Sequence, residues 1–572
     1  MCFQYRRNAF YCFLYIQYTL NRIVIVMTLT SLTFFVFVII SLLLYYIIPK
    51  VWRYFVLLAA SLTFYGIACF KYFPYILFTV FTTWAGAICL DRYSKNRKAF
   101  LKVNKSEWNQ DYKKKFKHRT MITKRWILVL VLVLNFGILA IVKYYNFMAG
   151  WFGGLANVDF PVLSLALPLG ISFYTFQSMG YIIDVYWEKV APEKNLARFA
   201  LFVTFFPQIV QGPIAIYSEL APQLYEGHAL KYENIKYGAQ LVIWGLFKKM
   251  VIADRLVVAL NNLLPVKNEL SNGYNLLILI VYTAQLYTDF SGGIDIARGV
   301  GCMFGINMAE NFKRPFFSKS VTEFWRRWHV SIGKWLKTYL FYPIAVSKAF
   351  LRLGTWITKL GKAPEEDIPE DSVWGGFTFM QHLGRVFPGC IGTLITFFVI
   401  GMWHGANWKY AGYGLWNGII ILIAMILDPF FKWLLKKLGI KIETIGWRIW
   451  QMIRTVFIVG LSFAFDIADG MIDGFSMIWK CLTPVLGHTT HLGTAVETGL
   501  ESADWIVAAI GLLIVFAVSL YQEVSHKSIR ESLSRQPLWI QWTLEIGCIV
   551  AVVIFGMYGP GVSSSEFVYM QF

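Results

Sequence analysis

Apolar runs long enough to cross a bilayer recur along the whole of this 572-residue chain. A hydrocarbon core about 30 Å thick needs about 20 helical residues to span it. The clearest runs cover 28–48, 54–70, 72–90, 126–143, 274–290, 391–403, 411–427, 452–465, 505–521 and 539–558. Lipid offers backbone N–H and C=O groups no partner, so segments of this length must close their hydrogen bonds internally, as helices. Further runs at 162–186, 196–217 and 238–260 are interrupted by Pro, Gly, Gln and Lys. These read as tilted or re-entrant helices, tolerated where protein or water covers the freed backbone. The expectation is an all-α polytopic protein of the cell membrane, with about 10–13 helices and no soluble domain.

Charge supports the same class. Only 15% of residues are charged, against about 25% in a typical soluble protein. The net charge of +20 would suit a nucleic-acid partner, but the Lys and Arg residues lie mostly in short segments between spans, where the positive-inside rule expects them. The bilayer is therefore the expected partner, and nucleic acid is not. Eight scattered cysteines without a C-x-x-C read as small buried hydrophobes.

Segment 92–125 carries thirteen Lys or Arg against Glu107 and Asp111 and reads as a basic cytoplasmic loop. Counting back through three spans puts Lys50 and Arg53 on the same side and the N-terminus outside, which suits Arg6, Arg7 and Arg22 poorly. The favoured resolution is a true start at Met27, with 1–26 an over-extended reading frame. The alternative is an extra amphipathic or spanning segment at 1–26.

Polar chemistry collects in the middle of the chain. In VTFFPQIVQGPIAIYSELAPQ (203–223) Pro207, Gln208, Gln211, Gly212 and Pro213 break an apolar run. This reads either as a kinked, cavity-lining turn with inward amides or as a surface turn. In YTDFSGGIDIARGVGCMFGINMAENFKRP (287–315), Asp295 and Arg298 are spaced to pair on a helix. Asp289 and Ser291 are placed to cap the next run. The glycines after Arg298 suit helix packing by small residues better than a nucleotide loop, since no strand precedes them and no Lys-Ser/Thr follows.

Two histidines stand out, because imidazole is the side chain that exchanges a proton near neutrality and ionisable groups inside spans are costly. His329 lies in FWRRWHVSIGKWL (324–336). Read as one helix over 323–340, this puts Trp325, His329 and Ile332 on one face and Phe324, Trp328 and Trp335 on the next. Arg326, Arg327, Lys334 and Lys337 make the segment basic, as an interfacial helix or the floor of a funnel for an anionic donor. His404 lies in GMWHGANWKYAGYGLWNG (401–418). Trp403 precedes it, and a continuing helix would bring Asn407 and Trp408 to its side. An imidazole beside an amide suits a general base with an orienting partner; taken alone it better suits a buried, hydrogen-bonded histidine, and the neighbouring features turn the reading toward the base. The pair His488 and His491 has no third ligand nearby, so no metal site is expected.

The stretches FPQIVQGPIAIYSELAPQL (206–224), DFSGGIDIARGVGCMFGINMAENFKRPF (289–316), TEFWRRWHVSIGKWLKTYLFYP (322–343) and GMWHGANW (401–408) closely resemble the membrane-bound O-acyltransferase family. The nearest branch is the membrane subunit of alginate and other polysaccharide O-acetyltransferases; a cousin moves D-alanine onto teichoic acids. The likeness covers 27–572 as a single membrane domain. It implies a ring of tilted helices around a trans-membrane tunnel. There an acyl thioester donor, acetyl-CoA or an acyl carrier protein, meets an extracytoplasmic polysaccharide, with no bound cofactor.

By the same resemblance His404 takes the place of the essential histidine and His329 that of a second, cytoplasmic-side histidine. Trp325, Trp328, Arg326, Arg327, Trp403, Asn407, Trp408, Gln208, Gln211 and Asp289 are expected to line the tunnel or orient substrate. A separate extracytoplasmic acetyltransferase is the implied partner. The sequence departs from the family pattern at 344–387, where a basic amphipathic stretch and a Pro-rich acidic loop (Glu365, Glu366, Asp367, Glu370, Asp371) are inserted. D-alanyl transfer, or transport without chemistry, are the alternative readings.

Overall fold

The computed structural model describes residues 27–104, 108–163, 167–361, 372–374, 376–484 and 497–558. All ten long apolar runs lie on helices. In chain order the helices used below are α1 (Leu32–Ile47), α2 (Arg53–Cys69), α3 (Phe73–Val103), α4 (Gln110–Ala156), α5 (Ile171–Tyr186), α6 (Tyr232–Leu246), α7 (Asn272–Met303), α8 (Val321–Arg327), α9 (Val330–Leu336), α10 (Lys348–Leu360), α11 (Phe379–His404), α12 (Trp408–Lys437), α13 (Ile445–Ser462), α14 (Ser502–Ser525) and α15 (Leu538–Phe555). Among the described residues, 7 helical stretches are long and apolar enough to cross a membrane. The first of them, Lys50–Val103, is broken at Cys69 (φ −153°, ψ 43°) into α2 and α3.

The basic segment 92–125 is not a loop. Helix α3 runs on to Val103 and α4 begins at Gln110 behind an Asn109 cap. Lys and Arg are good helix formers, and a 47-residue helix is about 70 Å long, more than twice the hydrocarbon thickness. The hairpin is pinned at its base by Glu188, which sits 2.6 Å from Lys98 and 3.0 Å from Lys124 and accepts the Ser94 hydroxyl. These two ammonium groups hold its carboxyl down to about 2.

The interrupted runs are broken helices, as their Pro and Gly content requires. Segment 238–260 spans α6, a π-helical turn at Phe247–Ala253 and a further helix, Asp254–Leu263. Helix α6 clasps α7 through paired glycines. A Cβ on Gly245 would meet the Gly292 carbonyl at 2.6 Å, and one on Gly238 the Gly299 carbonyl at 2.6 Å. The small residues after Arg298 therefore serve helix packing.

Buried charges fill the same interface. Lys249 bridges Asp289 at 2.6 Å and Asp254 at 2.8 Å, and Lys248 reaches Asp295 at 2.7 Å and Ser291 at 2.9 Å. Asp295 also meets Arg298 at 3.2 Å. Asp289 and Ser291 do not cap a helix, because α7 runs straight through them. Paired with lysines, they remain inside it.

The start of the segment 344–387 forms the amphipathic helix α10. It lies tight on α11, where a Cβ on Gly354 would meet the Gly384 carbonyl at 2.6 Å. The acidic run 365–371, the segment 1–26 and the pair His488 and His491 lie outside the described residues.

Candidate active site

The segment around His329 is not one helix. Helix α8 starts on a Ser320 cap and ends at Trp328, whose backbone is extended, and His329 adopts a left-handed conformation (φ 46°, ψ 54°) before α9 begins. The break is made from a distance. Residues 311–313 run alongside it: Lys313 N–H donates to the Arg327 carbonyl at 2.8 Å and Val330 N–H to the Asn311 carbonyl at 2.9 Å. The Asn311 side-chain oxygen takes the Ser331 N–H at 2.8 Å. Backbone groups that a helix would have paired are thus satisfied by this extended neighbour. Trp328 is driven into an aromatic core against Phe312, Phe324 and Phe463. His329 turns the other way and is buried.

His404 is the last residue of α11. The helix does not continue to Asn407 and Trp408, because Gly405 is extended and Asn407 starts α12 as its cap, accepting the Lys409 N–H at 3.0 Å. The tightness of the α11–α12 hairpin dictates its glycines. A Cβ on Gly401 would collide with the Tyr410 carbonyl, and one on Gly405 with the Tyr410 ring. The imidazole of His404 is stacked on Tyr410 at 6.3 Å and set edge-on to Tyr413 at 5.1 Å.

Trp403 joins the two histidines. Its ring centre is 5.8 Å from His329 and 5.1 Å from His404. All three border one cavity of 590 Å³, whose walls come from α8, α9, α11 and α12. Trp325 and Trp328 also line it, and Trp325 is held by an indole hydrogen bond of 3.1 Å to Asn417. Arg326, Lys334 and Lys337 also line it and are exposed, Lys334 in an ion pair with Glu219, so the mouth of the cavity lies where they are. The mouth lies on the side of the basic hairpin. Tyr339, two residues after Lys337, donates to Asp184 at 2.7 Å and stacks on Trp187 at 5.6 Å, next to the Glu188 pin.

The structure thus brings together Trp325, Arg326, Trp328, His329, Trp403 and His404, and it places the other candidates elsewhere. Arg327 ties Glu323 at 2.7 Å to Glu523 of α14 at 2.9 Å. Trp408 packs outward on Phe147 and Trp151 of α4. Asp289 belongs to the buried ion cluster. The 206–214 turn is buried throughout rather than on the surface, but it does not border this cavity. Gln208 donates to Gln177 at 2.6 Å. The Gln211 amide is fully buried with no hydrogen-bond partner among the described residues. Ile214 N–H donates to Ser331 at 3.0 Å, tying the turn to α9.

Sequence reasoning passed over three side chains that support the site. Asn311 sits inside a quoted motif and Asn417 is fully buried in α12. Lys143 closes the run 126–143, where it looks like an ordinary boundary lysine. Its ammonium donates to the carbonyl of Trp403, and the neighbouring Tyr144 hydroxyl to that of Met402. Among the described residues no cluster of three His, Cys, Asp or Glu side chains is arranged to hold a metal ion.

Comparison with known proteins identifies the setting. Residues 193–358 match the model of the membrane-bound O-acyltransferase family. The chain is 30% identical over 408 residues to the "Probable alginate O-acetylase AlgI" of Pseudomonas syringae pv. tomato, covering 71% of this chain and 69% of that one. It is 29% identical over 401 residues to the peptidoglycan O-acetyltransferase of Helicobacter pylori, covering 66% and 64%. It is 28% identical over 271 residues to the teichoic acid D-alanyltransferase of Bacillus subtilis, covering 46% and 62%. The chain belongs to the membrane-bound O-acyltransferase family and is a multi-pass membrane O-acyltransferase.

Proposed function

We propose that this protein moves an acetyl group from a cytoplasmic thioester toward hydroxyls of an extracytoplasmic polysaccharide, with His404 as general base. The observation that carries the reading is one cavity that touches both histidines and is also lined by the exposed cations Arg326 and Lys337, with Lys334 beside them paired to Glu219. The mouth shares its side with the basic hairpin, so it faces the cytoplasm and suits a phosphate-bearing donor, acetyl-CoA or an acyl carrier protein. His404 lies at the far end of α11, toward the opposite side.

The chemistry follows from a neutral imidazole at that point. The acceptor oxygen attacks the thioester carbonyl carbon while its proton passes to the His404 ring nitrogen. The tetrahedral intermediate collapses, the C–S bond breaks, and the departing thiolate takes the proton back. The product is an O-acetyl ester and a free thiol. Asn407 is engaged in capping α12, so the donors that steady the oxyanion are better sought among backbone N–H groups and the indoles around the cavity. If the acceptor is a polymer outside the cell, a separate extracytoplasmic acetyltransferase completes the transfer. Acetyl rather than D-alanyl is favoured by the longer matches to the two acetyl-transferring relatives, 408 and 401 residues against 271.

The test is alkali-releasable acetate on surface polysaccharide from cells expressing wild type or His404→Ala at matched membrane levels. Acetate lost only in the variant supports transfer through His404. Equal acetate in both removes His404 from the chemistry and leaves transport as the reading. D-alanine ester in place of acetate would move the reading to the teichoic-acid branch.

A further inference from the structure

Helix α11 ends at His404, so the carbonyls of its last turn have no partner within the helix and carry the negative end of its dipole. Two of them, those of Met402 and Trp403, are taken by consecutive side chains of α4: the Tyr144 hydroxyl and the Lys143 ammonium. These contacts bridge 258 and 260 residues of sequence. The same turn of α11 is also seated on α12 by the Gly401–Tyr410 contact. The last turn before the imidazole is therefore held in two ways, by glycine packing and by two hydrogen bonds. A lysine near the end of an apolar run is expensive in lipid and is retained where it has a partner or a task. Here its partner is the residue next to His404.

We infer that Lys143 and Tyr144 are positioning residues for acyl transfer, gripping the end of α11 so that the His404 ring keeps its place at the cavity. The inference rests on the reading of His404 as the base. Neither residue borders the cavity, so neither is expected to touch substrate. Lys143 supplies a donor and a positive charge to the helix end, whereas Tyr144 supplies a donor only.

The test measures two things in the full chain in native membranes: surface-polysaccharide acetate at matched protein level, and backbone hydrogen exchange across 400–407. Lys143→Met should lower acetate by about tenfold or more, the scale of lost orientation at a reacting group. Lys143→Arg should restore most of it and Lys143→Gln part, while Tyr144→Phe should cost less than Lys143→Met. Exchange across 400–407 should rise in Lys143→Met and stay unchanged across 380–395, which separates a loosened helix end from a misfolded protein. Lys143→Met combined with His404→Ala should be no worse than His404→Ala alone. Wild-type acetate in Lys143→Met, or equal loss in Lys143→Arg and Lys143→Met, overturns the inference. Full acetate in His404→Ala instead overturns the base assignment, whatever the Lys143 variants do.

Discussion

Asn311 holds the turn at His329 by three hydrogen bonds at once, one each to His329, Val330 and Ser331. Its side-chain oxygen accepts the Ser331 N–H at 2.8 Å and lies 3.3 Å from His329 Nδ1, while its own carbonyl accepts the Val330 N–H. Since the Ser331 contact requires that oxygen to be an acceptor, Nδ1 of His329 carries the proton and Nε2 is the acceptor nitrogen. Asn311→Ala should therefore disturb both the ring and the turn. We expect at least a tenfold loss of transfer, together with about 1–3 kcal/mol of stability from the buried Ser331 N–H left unpaired. Acetate release and thermal melting of the purified variant check both.

The left-handed backbone at His329 sets a second expectation. Asn tolerates that conformation, whereas a β-branched side chain there is a true outlier. His329→Asn should reach the membrane at near-normal levels but transfer poorly. His329→Ile should fail at folding, with membrane abundance well below His329→Asn. Equal abundance of the two would argue against a constrained turn.

The Lys249 cluster predicts a stability effect without a catalytic one. Lys249→Met leaves Asp254 and Asp289 buried together without their cation, which costs about 3–5 kcal/mol for a buried pair broken on one side. Abundance and melting temperature should fall sharply. Activity per folded molecule should hold, because none of these residues borders the cavity.

The Glu188 pin carries a pH dependence of known sign. Its carboxyl is held down to about 2 by Lys98 and Lys124, so its stabilising contribution is fully present above the ordinary glutamate range and is lost as pH falls through about 2. Across pH 5–8 the hairpin should stay pinned. Glu188→Gln should release it at every pH, seen as faster trypsin cleavage in inside-out vesicles, with a small effect on overall stability because the pair is partly exposed.

How much of this was legible beforehand depends on the range of the forces involved. Apolar run length is a local property, so the ten runs fell on helices. The basic segment 92–125 misled because its charge was read as a sign of a loop, while the same residues favour helix and simply carry α3 and α4 beyond the lipid. The helix break at His329 and the capping role of Asn407 were missed for a different reason. One depends on pairing with Asn311, and the other on the close seat of α11 against α12, so a local window reports neither. Both histidines were singled out from their chemistry, and both border one cavity. That Trp403 stands between them, and that Lys143 grips the turn behind one of them, emerges only when the helices are packed.

The α6–α7 clasp bears on how the chain is made. Lys248 and Lys249 leave the ribosome before Asp289 and Asp295, and a lone lysine or aspartate at the centre of a helix costs about 2.5–3.5 kcal/mol to release into lipid. The two lysines lie in the turn just after α6, and neither α6 nor α7 is among the described stretches long and apolar enough to cross a membrane by itself. The glycine faces let them meet closely enough to neutralise one another, so the segment from α6 to the end of α7 has reason to wait at the insertion machinery and enter as a packet. On this view the order of synthesis is part of the fold: the half-site that will hold His329 is laid down on a scaffold that had to assemble before it could leave water.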